Sequence, residues 1–251
     1  MSTNTRNVIV GAANLFISNK NGANRPDTKA ATVSALLTSG QSTRTNLHAG
    51  TDYREVGFTS TGIELSYEPN YGEVVVDQLL DAARIFKQSL KVILKSELAE
   101  ATLENLATSW GQSDFYTDSN GSAVYSLTNT GTSSTYKSTL NLAAGAIGDS
   151  PVERVLIAVG QAPQQIGSTW DPSLSSGVGG AVTPARTSDL KQKERIYVAR
   201  RVVNIDTTMH GLKRDGATVF PVNFRCLPDD SQTEYAGTEY GVVIDRVWGT
   251  L

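Results

Sequence analysis

The 251-residue sequence predicts a mainly β protein: an antiparallel β-sandwich or partial barrel with one flanking α-helix and long loops. Three observations lead there. Apolar residues come in short runs with period two, the pattern of strands with one buried face. Thr, Ser, Asn and Gly fill the stretches between those runs, as turns require. Only one segment switches to helical spacing.

In chain order, residues 7–18 (NVIVGAANLFIS) read as a strand interrupted at Gly11, a position suited to a bulge. Residues 19–50 are polar and turn-rich, with a weak helical patch at 30–37. Residues 61–78 read as a β-hairpin. Ile63, Leu65 and Tyr67 alternate with Glu64, Ser66 and Glu68; Pro69-Asn70-Tyr71-Gly72 has turn composition; residues 73–78 resume the alternation. Residues 89–95 form the next strand, with Leu90, Val92 and Leu94 on one side. From 96 to 110 the period becomes helical, with Leu103, Leu106, Ala107 and Trp110 on one face. Ser96 is the expected N-cap and Gly111 the expected left-handed stop.

Residues 112–150 are rich in Ser, Thr, Gly and Asn, with strand-like pieces at 123–127 and 135–142. Residues 152–159 read as a strand buried on both faces, and 161–188 as another long loop. Strands follow at 194–206, at 220–226 with Phe220, Val222, Phe224 and Cys226 on one face, and at 240–248. No repeat or linker divides the chain. The expectation is a single domain over 1–251 with long loops at 19–50, 112–150 and 161–188.

Composition excludes several function classes. A net charge of −3 argues against a basic nucleic-acid-binding surface across the whole protein. No apolar run approaches the roughly 18 residues of a membrane span, and the first ten residues lack the layout of a signal peptide. The single cysteine, Cys226, rules out an intramolecular disulfide. With His48 and His210 the only histidines, a His-rich or Cys-rich metal site is ruled out.

Candidate chemistry is sparse. Gly177, Gly179 and Gly180 lack the Lys-Ser/Thr that completes a phosphate loop. His48 lies near Asp52 in what reads as an exposed loop, and His210 marks a turn before Gly211. Cys226 reads as a small core residue, and Asp229-Asp230 as a solvated turn. No catalytic residue, metal ligand or cofactor site is assigned, and the chain is not expected to be an enzyme.

The hairpin carries the one unusual feature. A turn at 69–72 would set Glu68 opposite Glu73 and Glu64 opposite Asp77, with all four carboxylates on one face. Like charges across a ladder are destabilising, so such a face points to a use for the charge.

These residues also carry a resemblance. GFTSTGIELSYEPNYGEVVVDQ (57–78), followed by LKSELAEATLENLATSWG (94–111), resembles the hairpin and helix of the major tail tube proteins of long-tailed, non-contractile bacteriophages. VIVGAANLFIS (8–18) is similar to their first strand, and VFPVNFRCLPDD (219–230) with YGVVIDRVW (240–248) to their last strands. Residues 19–50 and 112–150 match nothing in the family.

The resemblance implies a structural virion component. Six copies would form a ring, and rings would stack into a hollow tube through which DNA is ejected. The expected partners are further copies of the chain, other phage tail proteins, and passing double-stranded DNA without specific binding; no membrane is expected. Assembly would take place in the bacterial host cytoplasm, and the final location would be the virion tail.

Within such a tube Glu64, Glu68, Glu73 and Asp77 are expected to face the lumen and to keep DNA from sticking to the wall. Pro221 inside a strand pattern suits an edge, or a site where no ladder donor is needed. The alternatives are an inner tube of a contractile tail or secretion system, or a monomeric β-sandwich that binds carbohydrate through Trp110, Trp170 and Trp248.

Overall fold

The computed structural model describes residues 13–18, 42–49, 53–75, 82–112, 115–117, 123–125, 127–132, 135–140, 142, 151–162, 193–205, 211, 218–229 and 236–247. The expectations for 7–12, 30–37, 163–188 and His210 lie outside these residues.

The main sheet has eight antiparallel strands and is not closed into a barrel. Its path runs β2 (Tyr53–Glu55), β1 (Asn14–Ser18), β9 (Arg154–Gln161), β10 (Lys193–Asn204), β11 (Phe220–Cys226), β4 (Ala82–Leu98), β3 (Thr59–Val75), with β12 (Gly241–Val247) also paired to β10. Two separate hairpins, β5–β6 (Phe115–Thr117, Ala123–Tyr125) and β7–β8 (Leu127–Thr132, Thr135–Leu140), occupy the middle of the sequence. The strand-like pieces expected at 123–127 and 135–142 within the long loop 112–150 are β6 and β8, and each pairs with a further strand, β5 and β7.

A one-residue bulge in β10 organises the sheet. Pairing with β12 ends at Ala199–Gly241, and pairing with β11 begins at Val202–Cys226. The register against β9 shifts over the same interval, between Ala199 and Val202. An extra residue resets which face each side chain takes, so Val202 joins Ala199 in the same core cluster. Neighbouring chain stitches the bulge: Arg200 Nε donates to Thr238 O at 3.1 Å, and Leu227 N–H donates to Arg201 O at 2.8 Å. Gly241 has φ +148, and a Cβ there would fall 2.0 Å from Val198 O, so only glycine fits this approach.

Strand β9 is buried on both faces, as its apolar run predicts. Leu156 and Ala158 enter a cluster with Leu94, Leu98, Val222 and Phe224. Val155, Ile157 and Val159 enter a second cluster, on the other face, with Phe16, Ile196 and Leu47. Strand β11 alternates as expected: Phe220, Val222, Phe224 and Cys226 are all buried.

Among the described residues there are two helices where one was expected. Helix α1 (Thr43–Ala49) lies in the stretch read as a polar loop. Its Leu47 is fully buried, and its first N–H, from Thr43, donates to Glu194 Oε1 at 3.0 Å. Glu194 is itself buried and paired with Arg246 across β10–β12, with Arg246 Nε 2.5 Å from Glu194 Oε1. His48 is thus helical, not in a loop, and its Nε2 lies 2.7 Å from Glu55 Oε2.

Helix α2 (Leu103–Ser109) is shorter than its periodicity suggested. Ser96 is not its N-cap; it is buried within β4 and donates to Gly62 O at 2.8 Å. The N-cap is Thr102, whose hydroxyl accepts from Asn105 N–H. The C-terminus is as expected: Gly111 has φ +63, its N–H donates to Thr108 O at 3.1 Å, and Gln112 N–H donates to Ala107 O at 2.9 Å. The helix is fixed by polar contacts more than by apolar ones. Arg54 Nη1 donates to Asn105 Oδ1 at 2.8 Å, and Asn105 Nδ2 donates to Val56 O at 2.8 Å.

Candidate assembly surface

The expected hairpin of 61–78 does not form. The sequence Pro69-Asn70-Tyr71-Gly72 is mid-strand in a continuous β3 of 17 residues. Its partner is an equally long β4, and the connection between them, 76–81, lies outside the described residues. Turn composition misled because β3 is an edge strand. Proline is tolerated on an edge because its missing N–H can face away from the partner. Gly72 is covered: an ideal Cβ there would meet Phe86 and Gln88 side-chain atoms at under 3 Å. The register slips by one residue between Asn70–Ser89 and Tyr71–Lys87, leaving Gln88 as the bulge opposite.

This pairing changes the environment of the four acidic residues. Glu64 lies opposite Lys95, Glu68 opposite Lys91, and Glu73 opposite Ile85. Alternation places Glu64 and Glu68 on one face and Glu73 on the other. Asp77 lies outside the described residues. The face bearing Glu64 and Glu68 extends through Glu97, Lys91 and Lys95 to Arg225 of β11. Glu64, Glu68 and Glu97 share it with four basic side chains, Arg84, Lys91, Lys95 and Arg225, so that face is of mixed charge, not acidic. β4 supplies Lys91 and Lys95 to this face at four-residue spacing, a signal unreadable without the correct partner strand, while the bulge at Gln88 turns Lys87 to the other face and Arg84 to this one.

Beyond the core, β3 and β4 continue as a two-stranded ribbon. β11 pairs with β4 only over Val92–Leu98. From 82 to 91, β4 has no neighbour but β3 among the described residues. An isolated two-stranded ribbon is at best marginally stable in water. This one also exposes apolar side chains: Tyr67 is 61% exposed, Tyr71 57%, Val75 69% and Ile85 62%. All four belong to one face, together with Lys87 and Glu73, by the alternation and register of the ladder. Lys87 Nζ donates to Tyr67 Oη at 3.0 Å and sits 5.3 Å from the ring centre. The hydrogen bond to Tyr67 raises the Lys87 pKa above its ordinary value.

The root of the ribbon overhangs an apolar cleft of about 440 Å³ between β3–β4 and β10–β12, lined by Leu65, Leu90, Val92, Tyr197, Tyr240 and Val243. Cys226 lies on its floor, and burial pushes its thiol up to about 11. Strand β3 presents an open edge over its full length, and β12 a shorter one, among the described residues. Open edges of this kind template pairing with another chain.

The other candidates sort simply. Asp229 is buried with its N–H donated to Glu239 O at 2.9 Å, so it is not a solvated turn residue; Asp230 is outside the described residues. Trp110 is the half-buried C-cap of α2, and Trp170 and Trp248 are outside the described residues. Pro221 pairs with β4 at Glu97, whereas β10 meets β11 only over Cys226–Phe224. Its missing N–H therefore costs no bond to β10.

No protein-family model matches this chain, and no curated protein matches it in sequence.

Proposed function

We propose that this protein is a self-assembling structural subunit whose copies form six-membered rings that stack into a hollow phage tail tube. The observation that carries the reading is the β3–β4 ribbon. It runs past the third strand, keeps an open backbone edge, and exposes a stripe of Tyr67, Tyr71, Val75 and Ile85. A chain that stayed monomeric would gain nothing from this surface and would risk aggregation through it. The resemblance of residues 57–78 and 94–111 to tail tube proteins gives the surface its partner: further copies of the same chain.

In the tube, the face carrying Glu64 and Glu68 lines the bore, with Lys91 and Lys95 beside them. A wall of mixed charge, with carboxylates set between its cations, offers DNA no unbroken row of cations to hold its phosphates. Glu73, on the opposite face, belongs to the contact surface. Other tail proteins cap the ends of the stack, and ejected double-stranded DNA passes without specific binding.

The test is assembly of ribbon variants. Val75→Asp and Ile85→Asp place charges on exposed ribbon positions without touching the core. Both should retain the wild-type circular dichroism spectrum and lose higher-order species in sedimentation velocity. Assembly unaffected by both would remove the ribbon from the account.

A further inference from the structure

We infer that helix α1 and edge strand β12 form a single opening unit, with the buried Glu194 carboxylate as its joint. The inference goes beyond the tube reading and holds whether or not the chain builds tubes. Glu194 lies on β10 and is 4% exposed. From the helix it accepts the Thr43 N–H at 3.0 Å and the Thr43 hydroxyl. From β12 it accepts Arg246 Nε. One buried carboxylate thus serves two elements far apart in sequence.

Neither element stands well alone. α1 has seven residues, and helices shorter than about 12 residues are marginal in water. Ser42 caps it by accepting from Thr45 N–H, which leaves the Thr43 N–H for Glu194. β12 also has seven residues. Among the described residues it pairs with β10 alone, and residues 241–246 are half-buried or exposed.

The two elements meet a second time in the core. Leu47 of α1 is buried in the cluster against which Val242 and Ile244 of β12 pack. Alternation places Arg246 on the same face as Val242 and Ile244, so the apolar and ionic contacts lie side by side. If α1 lifts, Glu194 loses both Thr43 donors, and water reaches its pair with Arg246, which is worth far less once wet. If β12 peels away, the buried carboxylate loses its cation, a strongly unfavourable arrangement. Each departure makes the other easier, and such coupling is reciprocal. β12 carries the shorter open edge of the sheet. That edge is therefore presented only while α1 is seated, and whatever fixes α1 fixes the edge.

The test uses a contact on the other face. There Arg195 Nε and Nη2 donate to Asp245 at 2.6 and 2.7 Å, so Asp245→Asn weakens β12 from the side away from α1. Hydrogen exchange of the full-length protein is followed in rising, sub-denaturing urea on α1, β12 and β9. Each variant is first checked for wild-type circular dichroism. In wild type, α1 and β12 amides should share one opening free energy and one urea slope, both below those of the central β9. Asp245→Asn should speed exchange in both elements by a common factor of threefold or more. In Glu194→Gln, which keeps the shape and removes the charge, the two should open separately, and adding Asp245→Asn should speed β12 alone. Distinct opening energies for α1 and β12 in wild type would overturn the inference. So would Asp245→Asn protein whose α1 amides exchange at the wild-type rate, and these two comparisons decide even if Glu194→Gln does not fold. Equal acceleration of both elements by Asp245→Asn in the Glu194→Gln background would overturn the role of the carboxylate.

Discussion

Glu68 sits directly across the β3–β4 ladder from Lys91, four residues from the equivalent pair of Glu64 and Lys95. Opposite charges in such positions contribute roughly 0.2–1 kcal/mol, and like charges oppose by a similar amount. Glu68→Lys should therefore destabilise the fold by up to about 1 kcal/mol, and Lys91→Glu added to it should restore most of the loss. Urea denaturation of the three variants checks this. If the double variant were no more stable than the single, the two side chains would not be coupled.

Asn105 is buried and bridges Arg54 to the carbonyls of Val56 and Glu100. Asn105→Leu keeps the volume but removes the bonds to the Val56 and Glu100 carbonyls and one of the bonds made by Arg54, which keeps those to Glu104 O and Thr108 Oγ1. The expected loss is at least about 2 kcal/mol, since each buried unsatisfied group costs about 1–3 kcal/mol. A loss under about 0.5 kcal/mol would mean that helix α2 is held in some other way.

Core packing predicts a contrast. Leu94 is 1% exposed in the main cluster, whereas Leu106 of α2 is only partly buried against it. Leu94→Ala should cost about 2–5 kcal/mol and Leu106→Ala about half that. Thermal melts of both variants decide the order.

The Cys226 thiol, pushed up to about 11 by burial, should be inert to thiol reagents at pH 8 in the folded protein and reactive in guanidinium. The sign of the linkage follows. The unfolded thiol ionises near 9, while the folded one keeps its proton to about 11. Stability contributed by the protonated thiol is therefore present below pH 9 and lost as pH rises from 9 to 11, by at most about 3 kcal/mol. Cys226→Ala should remove that part of the pH dependence.

The sequence made the core more legible than the surface. Strands β9 and β11 were readable because burial on both faces or on one writes a simple apolar pattern, as in Val155–Val159 and Phe220–Cys226. The end of α2 was readable because Gly111 has the conformation its position demands. The start was not: Ser96 has a capping residue's chemistry but a strand's environment, and only the tertiary position of Thr102 decides between them. The ribbon was misread because Pro69 and Gly72 mark turns by composition, and their tolerance on an edge strand depends on which side the partner lies. That error carried into the site, since the true partner strand sets lysines, not carboxylates, opposite Glu64 and Glu68. The exposure of Phe58 left no local signal, because it comes from Gly57 and Glu100 meeting across the fold.

The central claim is that these chains build a tube, and negative-stain electron microscopy of the purified full-length protein tests it most directly. The account predicts rings with six-fold symmetry and an open centre, and stacks of such rings at higher concentration. A population made up only of separate 26.8 kDa particles, unchanged up to several hundred micromolar, would contradict it.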